Sequence, residues 1–304
     1  MGDFTFILNP VAGKGAARKT LAELERQLPE LGFTYEVVYT VRPGHATEIA
    51  RTCSSTYVVA VGGDGTINET ANGLMGSGKI LGIIPTGSGN DFIKSLGIPR
   101  KLQDSVEILQ ARNVRRIDAG LVACGITKNG STAYAPGRFF VNGVGIGFDA
   151  SVARRVSEIN HLRGTLLYLV AVLQTLGHYR SPFFRISVDG NTTVGKKLLV
   201  AVGNGKCAGG GFYLTPDALV DDGKLDVCAI QDVPVAKILR LMPAVMAGKR
   251  VEDEAVSYSR TTGIAVESTE RFSVHADGEV IGREVQGVNI EIAAGSLLII
   301  GPRT

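Results

Sequence analysis

Three glycine-rich segments constrain the fold of this 304-residue chain more than any other feature of its sequence. They cover residues 9–15, 62–66 and 85–91, and each lies between a short apolar run and a helical pattern. In parallel α/β sheets such loops meet at the carboxyl ends of the strands, where ligands bind. Glycine makes up 39 of the 304 residues, and this excess favours tight turns and backbone that approaches a ligand closely.

Strand and helix patterns alternate over residues 1–122. The predicted strands are Phe4–Leu8, Tyr35–Thr40, Tyr57–Val61 and Ile80–Ile84. The predicted helices are Ala16–Leu28, Ala46–Cys53, Ile67–Leu74 and Gln103–Gln110. Because strands separated by helices pair in parallel, this region is predicted to form a doubly wound α/β domain.

Short β-rich stretches dominate after about Asp118. They predict a second domain over residues 123–304, an antiparallel β-sandwich or partial barrel in which one strand covers Arg138–Val144. Two helical regions interrupt it, near Ala150–Gly177 and Val235–Ala247. The predicted fold class is α/β plus all-β, and the last strand could return to the first domain.

Charge and cysteine content exclude several classes of protein. Lys and Arg number 32 against 29 Asp and Glu, tryptophan is absent, and the resulting charge of +3 argues against a nucleic-acid partner. The cysteines lie far apart in the sequence, which favours reduced thiols over disulfides or a zinc site. The longest apolar run, Thr165–Leu176, is shorter than the roughly 20 residues that span a bilayer. With no basic leader, we expect a cytoplasmic protein.

The first loop, Asn9-Pro10-Val11-Ala12-Gly13-Lys14-Gly15, opens a predicted helix. Its amides and the helix dipole favour an anion there. The segment matches neither the Walker pattern nor GxGxxG, so an ordinary glycine turn explains it equally well on its own.

The second and third loops add acids to the glycines. Asp64 lies in Gly62-Gly63-Asp64-Gly65-Thr66, and a carboxylate beside polyphosphate is repelled unless a divalent cation intervenes, so Mg²⁺ is expected. A cap on the following helix is the alternative role for Asp64. In the third loop Ser88 offers a hydroxyl and Asp91 a second acid. Together the three loops predict a nucleoside triphosphate with a metal ion.

These loops and the late Asp277-Gly278-Glu279 resemble the diacylglycerol kinase catalytic family. More narrowly, the chain resembles the soluble bacterial lipid kinases related to sphingosine and ceramide kinases. The resemblance covers nearly the whole chain, with the motifs in family order. It implies ATP-dependent phosphorylation of a lipid hydroxyl by an N-terminal nucleotide domain and a C-terminal β-sandwich, with the active site in the interdomain cleft.

The resemblance also assigns residues to roles. It assigns nucleotide contacts to Asn9, Pro10, Val11, Ala12, Gly13, Thr40, Gly63, Asp64, Gly65, Thr66, Ile67, Asn68, Glu69, Ser88, Asn90 and Asp91. Asp277 and Glu279 match the acidic catalytic motif, where a carboxylate takes the proton of the lipid alcohol. Which of the two is the base stays open, and without the other motifs an Asp-Gly hairpin would explain them. His275 is predicted to be an exposed or already hydrogen-bonded strand residue.

In relatives, the loop matching Ala218–Leu225 binds a structural cation through one carboxylate and two backbone carbonyls. The matching positions here are Asp222 with the carbonyls of Leu219 and Lys224. Such oxygen ligands suit Mg²⁺ or Ca²⁺. An ordinary Asp-Gly turn is an equal alternative.

The sequence therefore predicts a kinase that phosphorylates diacylglycerol or a related lipid alcohol with Mg-ATP. An NAD kinase, which shares the Gly-Gly-Asp-Gly-Thr loop, and a non-catalytic nucleotide-binding regulator are the alternatives. Asn9-Pro10 and Asp277-Gly278-Glu279 favour the lipid kinase. Four arginines beside apolar residues favour transient contact with the inner membrane surface: Arg154, Arg155, Arg163 and Arg180. A core helix with solvated arginines explains them equally well. The oligomeric state is open, and a homodimer is compatible with the sequence.

Overall fold

The computed structural model describes residues 3–12, 16–32, 34–128, 131–159 and 164–303. Its contacts divide the chain into two compact units. Unit 1 is Met1–Asp118 with Gly295–Thr304, and unit 2 is Ala119–Ala294. The boundary predicted after residue 122 lies close to this division.

Unit 1 is a doubly wound α/β domain, as predicted. Its elements are β1 (Phe4–Leu8), α1 (Ala16–Gln27), β2 (Tyr35–Tyr39), α2 (His45–Thr52), β3 (Tyr57–Gly62), α3 (Asp64–Leu74), β4 (Ile80–Pro85), α4 (Asp91–Leu96) and α5 (Leu102–Ala111). The strands pair in parallel in the order β2-β1-β3-β4, with Phe4 opposite both Tyr35 and Tyr57. All of β1 is buried, because helices cover a parallel sheet on both faces. Leu24 and Leu28 pack on this core.

Unit 2 is mainly antiparallel and contains helices. Its elements are β5 (Val114–Lys128, entering the unit at Ala119), β6 (Ser131–Tyr134), β7 (Arg138–Phe140), β8 (Gly143–Gly147), α6 (Phe148–Glu158), α7 (Gly164–Leu176), β9 (Phe183–Val188), β10 (Asn191–Gly203), β11 (Leu225–Gln231), α8 (Val235–Met246), β12 (Val256–Thr261), β13 (Gly263–Ala276) and β14 (Glu279–Ile300). The strand order is β12-β11-β10-β8-β13-β14. The end of β14 belongs to unit 1, where Leu298 pairs in parallel with Ile80 of β4.

Two of the apolar clusters in unit 2 hold its strands and helices together. One lies among the strands, where Phe184 meets Phe272 edge-on with ring centroids 5.0 Å apart. The other joins α6 and α7 to the sheet through Phe148, Val152 and Leu198. The helices therefore cover the sheet and form walls of the apolar cavity described below.

The strand predicted over Arg138–Val144 is wrong as a single element. The structure breaks it at Val141 and Asn142, because the amides there bind a carboxylate from a distant turn. The long strand β5 was not predicted.

Of the arginines predicted on the helix pair, Arg163 lies outside the described residues. Within the described part of the chain, no helix is long and apolar enough to cross a membrane.

Candidate active site

The first two glycine-rich loops of unit 1 meet through one asparagine. Asn9 follows β1, and its Nδ2 donates to Thr66 Oγ1 at 3.1 Å. Its Oδ1 accepts the N–H of Val11 at 3.1 Å, which folds the first loop back on itself. Since β1 and β3 are neighbouring strands, their loops leave the same edge of the sheet. Gly13 lies outside the described residues.

The second and third loops touch through their backbones. The N–H of Thr86 donates to the carbonyl of Gly62 at 2.8 Å. A Cβ on Gly87 would lie 2.5 Å from the Cα of Gly63. Any side chain at Gly87 would therefore push the loops apart, which explains why glycine stands there.

This contact gives a first prediction, on stability. Gly87→Ala is expected to lower the free energy of unfolding by about 1–3 kcal/mol, the usual cost of overpacking. Gly65→Ala is the matched control, because a Cβ at Gly65 would have no atom within 4 Å, and it should leave stability unchanged or slightly raised. Urea denaturation measures both, and equal stability of the two variants would contradict the close approach.

Asp64 is not the N-cap residue of its helix. It is the first residue of α3, whose N-cap position is Gly63, and its Oδ1 accepts the N–H of Phe92 in α4 at 3.2 Å. Its Oδ2 lies 3.2 Å from where a Cβ on Gly89 would stand, and Oδ2 of Asp91 lies 3.8 Å from the same point. Two carboxylates thus converge on bare glycine backbone.

Several polar groups beside these acids are available to a ligand. Among the described residues, Thr86 Oγ1 and Asn90 Oδ1 are buried with no hydrogen-bond partner. Ser88 and Gly65 are exposed at the loop surfaces. Mg²⁺ commonly takes one or two carboxylates together with phosphate oxygens and water. The residues present therefore fit a nucleotide phosphate with Mg²⁺, held by Asp64 and by Oδ2 of Asp91, whose Oδ1 is already paired with Lys94 Nζ at 2.7 Å.

Other predicted contact residues serve the packing of unit 1. Ile67 and Asn68 are buried in α3. The carboxylate of Glu69 accepts the N–H groups of Gly44 at 2.9 Å and Ala46 at 3.2 Å, which ties α3 to the start of α2. The structure thus commits these three side chains to the fold, and the N–H of Ile67 already donates to the carbonyl of Gly63 at 3.0 Å. Their nucleotide contacts stay a prediction. Thr40 follows β2, and its N–H donates to Leu8 at 2.8 Å.

The acidic motif of unit 2 is a two-residue turn between β13 and β14. Asp277 and Gly278 both have positive φ, +49° and +84°, as a tight hairpin requires. The Asp277 carboxylate accepts the backbone N–H groups of Val141 (2.9 Å), Asn142 (3.0 Å) and Gly143 (2.8 Å). Three N–H donors hold this carboxylate in place, which favours a structural role for Asp277 at the turn.

Glu279 is the more accessible of the two acids. Its side chain is 58% exposed, and its Oε2 pairs with Arg138 Nη2 at 2.7 Å. An exposed ion pair of this kind is weak and leaves the second carboxylate oxygen open to a proton donor. The geometry therefore favours Glu279 over Asp277 as the proton acceptor.

A buried polar network lies behind this turn. His275 Nε2 and Asp149 Oδ2 are 2.8 Å apart, the Tyr168 hydroxyl donates to Asp149 Oδ1, and His275 Nδ1 accepts the N–H of Gly278 at 3.3 Å. Burial opposes the charge on Asp149, but its contacts with His275 and Tyr168 outweigh the effect of burial and lower the pKa of Asp149. His275 is thus the hydrogen-bonded strand residue that we expected. Asp149 and Tyr168 were missed; the acid Asp149 in the first turn of α6, directly after β8, was the available signal.

In the predicted cation loop, an arginine of the protein already pairs with the carboxylate that was expected to bind the cation. Asp222 pairs with Arg260, and its Oδ1 accepts the N–H of Lys224 at 3.0 Å. Within the described residues, no cluster of three or more His, Cys, Asp or Glu side chains could hold a metal ion. The Asp222 carboxylate is therefore already paired, and a cation bound with the carbonyls of Leu219 and Lys224 stays a prediction.

Comparison with known proteins agrees with this architecture. Residues 3–122 match the diacylglycerol kinase catalytic domain, and residues 142–301 match the YegS C-terminal NAD kinase beta sandwich-like domain. A diacylglycerol kinase of Mycobacterium tuberculosis (strain H37Rv) is 31% identical over 286 residues, covering 92% of this chain and 89% of the relative. The chain belongs to the diacylglycerol kinase family.

Further relatives of this family support the assignment. The diacylglycerol kinase of Bacillus subtilis (strain 168) is 29% identical, covering 91% of this chain and 89% of the relative. A crystal structure of a diacylglycerol kinase from Bacillus anthracis (strain Sterne) has a TM-score of 0.72 at 23% identity, covering 99% of this chain and 97% of that one. This structural likeness shows the shared two-domain fold. Membership of the family makes the chain a kinase.

Proposed function

We propose that this kinase transfers the γ-phosphoryl group of ATP to the hydroxyl of a lipid alcohol, with diacylglycerol the first candidate. The observation that carries the acceptor class is an apolar cavity of about 80 Å³ within unit 2. Its lining includes Phe148, Val172, Leu198, Phe212, Leu241 and Met242. Among the described lining residues, Asp149 alone carries a charge. A hydrocarbon chain suits such a space, since each buried methylene contributes about 0.8 kcal/mol.

The glycine-rich loops of unit 1 support the nucleotide half of the proposal. Backbone amides and Ser88 would bind phosphate oxygens, while Asp64 and Asp91 would hold Mg²⁺. The metal would neutralise charge that develops on the transferred group. Unit 2 supplies Glu279, which takes the proton of the attacking hydroxyl and makes its oxygen a better nucleophile.

An NAD kinase is the second candidate, because unit 2 matches a domain described as NAD kinase beta sandwich-like. A dinucleotide acceptor needs polar partners for its ribose and phosphate groups, and a site that lacks them binds it poorly. The lining of the cavity, apolar apart from Asp149 and the Tyr168 hydroxyl, favours a lipid instead.

The acceptor class can be tested directly. The protein is incubated with γ-labelled ATP and Mg²⁺, in parallel with diacylglycerol in mixed micelles, with NAD, and with no acceptor. We expect label in the lipid product alone. Label in NAD would establish the second candidate, and tight ATP binding without transfer to either acceptor would indicate a non-catalytic regulator.

A cavity-filling substitution gives a further prediction. Ile238 of α8 lines the cavity, and its neighbour Leu239 is exposed. Ile238→Trp should lower kcat/KM for a long-chain lipid by about tenfold, equivalent to losing two buried methylenes, with ATP affinity unchanged. Leu239→Trp is the matched control and should behave as wild type. If Ile238→Trp folds and keeps full kcat/KM, the cavity does not hold the lipid chain.

A further inference from the structure

The turn that precedes Glu279 is held from two sides. On one side, the Asp277 carboxylate binds the backbone amides of residues 141–143. On the other, His275 Nδ1 accepts the N–H of Gly278, the residue directly before Glu279. The second contact depends on which nitrogen of the imidazole carries the proton.

The surroundings of His275 determine its tautomer. The Nδ1 atom accepts the Gly278 N–H at 3.3 Å, so it carries no proton, and Nε2 donates to Asp149 Oδ2 at 2.8 Å. Asp149 and His275 are both almost completely buried, so each needs its partner. The Tyr168 hydroxyl donates to the other oxygen of Asp149. An ionised Asp149 thus keeps the imidazole proton on Nε2 and leaves Nδ1 free to accept.

We propose that Tyr168, Asp149 and His275 form a positioning network that orients Glu279 for proton transfer. The inference rests on the proposed function, in which Glu279 is the proton acceptor. Asp277 is a non-glycine residue at positive φ, and such a conformation persists only when its surroundings impose it. Among its described contacts, the Glu279 side chain meets only the surface residue Arg138. The backbone that carries this side chain is therefore positioned by the turn that His275 and Asp277 hold.

The network also begins at the wall of the apolar cavity. Tyr168 and Asp149 both line that cavity, and the Tyr168 ring packs on Phe212 with centroids 4.8 Å apart. The chain of contacts therefore runs from the cavity wall through two buried side chains to the backbone beside Glu279. His275 does not line the cavity, so it would affect turnover without touching a lipid chain bound there.

Two substitutions test the hydrogen bonds of the two His275 ring nitrogens one at a time. Gln places an amide N–H near Nε2, so His275→Gln keeps the donor to Asp149 and removes the acceptor for Gly278. Asn places a carbonyl near Nδ1, so His275→Asn keeps that acceptor and leaves Asp149 short of one donor. We expect His275→Gln to keep its melting temperature while kcat falls about tenfold at unchanged KM for ATP. His275→Asn should melt earlier, with kcat near wild type at low temperature.

The opposite pattern, in which kcat follows the melting temperature in both variants, would show a purely structural role and overturn the proposal. Full kcat in His275→Gln would overturn it as well. His178→Gln, at an exposed histidine, is the matched control and should behave as wild type. Amide exchange at Gly278 in ¹⁵N-glycine-labelled protein provides a second readout: it should accelerate in His275→Gln, and unchanged exchange would contradict the contact.

These outcomes are distinguishable from failure of the proposed function. If Glu279→Gln is fully active, Glu279 is not the proton acceptor, and the proposed function fails at that step. If Glu279→Gln is inactive while His275→Gln is fully active, only the positioning inference fails.

Discussion

Asp64→Asn is expected to lower kcat by more than about 100-fold while the protein stays folded. In phosphoryl transfer, a bound metal ion stabilises the transition state strongly by neutralising the charge on the transferred group. Loss of the Asp64 carboxylate would weaken binding of that metal ion and remove much of this stabilisation. The amide of Asn still offers an oxygen to the N–H of Phe92, which Asp64 binds at 3.2 Å. The substitution therefore removes charge and keeps the local hydrogen bond.

Steady-state kinetics and circular dichroism check this expectation together. Asp104→Asn, in the first turn of α5 in the same unit, is the matched control for loss of a carboxylate and should keep full turnover. If Asp64→Asn turns over at a near-wild-type rate, Asp64 serves only to bind the amide of α4.

Glu279→Gln is expected to lower kcat by roughly 10²–10⁴-fold, the range typical of removing a general base. Its melting temperature should not change, since its ion pair with Arg138 is exposed. ATP affinity should stay within a few fold, because the proposed nucleotide contacts lie in unit 1. Glu284→Gln is the matched control, since Glu284 is also an exposed β14 residue paired with an arginine, Arg271.

The main effect of Asp277→Asn should be a loss of stability. The carboxylate accepts three backbone N–H groups, and an amide can accept fewer, so we expect a loss of about 1–3 kcal/mol in unfolding free energy. Titration of ATP, product formation and thermal melting distinguish the two acids. Loss of stability in Glu279→Gln with unchanged turnover, or the larger turnover loss in Asp277→Asn, would reverse their roles.

The sequence was sufficient to predict unit 1 because its signals are local. Apolar runs such as Phe4–Leu8 alternate with helical periodicity, and glycine-rich loops lie at the strand ends. Parallel pairing and the meeting of these loops then follow from general rules of α/β folds. The contact of Asn9 with Thr66 is a direct consequence of that arrangement.

The contacts of the acidic turn could not be predicted in the same way, because the residues that meet there are distant in sequence. The break in the strand at Val141 depends on Asp277, 136 residues away. Likewise, His275 meets Asp149 across 126 residues. Only tertiary pairing brings such residues together, so the sequence left both the role of Asp277 and the network around His275 undetermined.

The central claim is most directly tested by identifying the acceptor without choosing it in advance. Wild-type protein, Asp64→Asn and Glu279→Gln are each incubated with γ-labelled ATP, Mg²⁺ and a total lipid extract, and the labelled lipids are separated and identified by mass spectrometry. We predict label in phosphorylated diacylglycerol or a closely related lipid alcohol with wild-type protein, and its near-complete loss with both variants. A lipid extract that stays unlabelled while the protein binds ATP, or labelling that both variants support at the wild-type rate, would contradict the account.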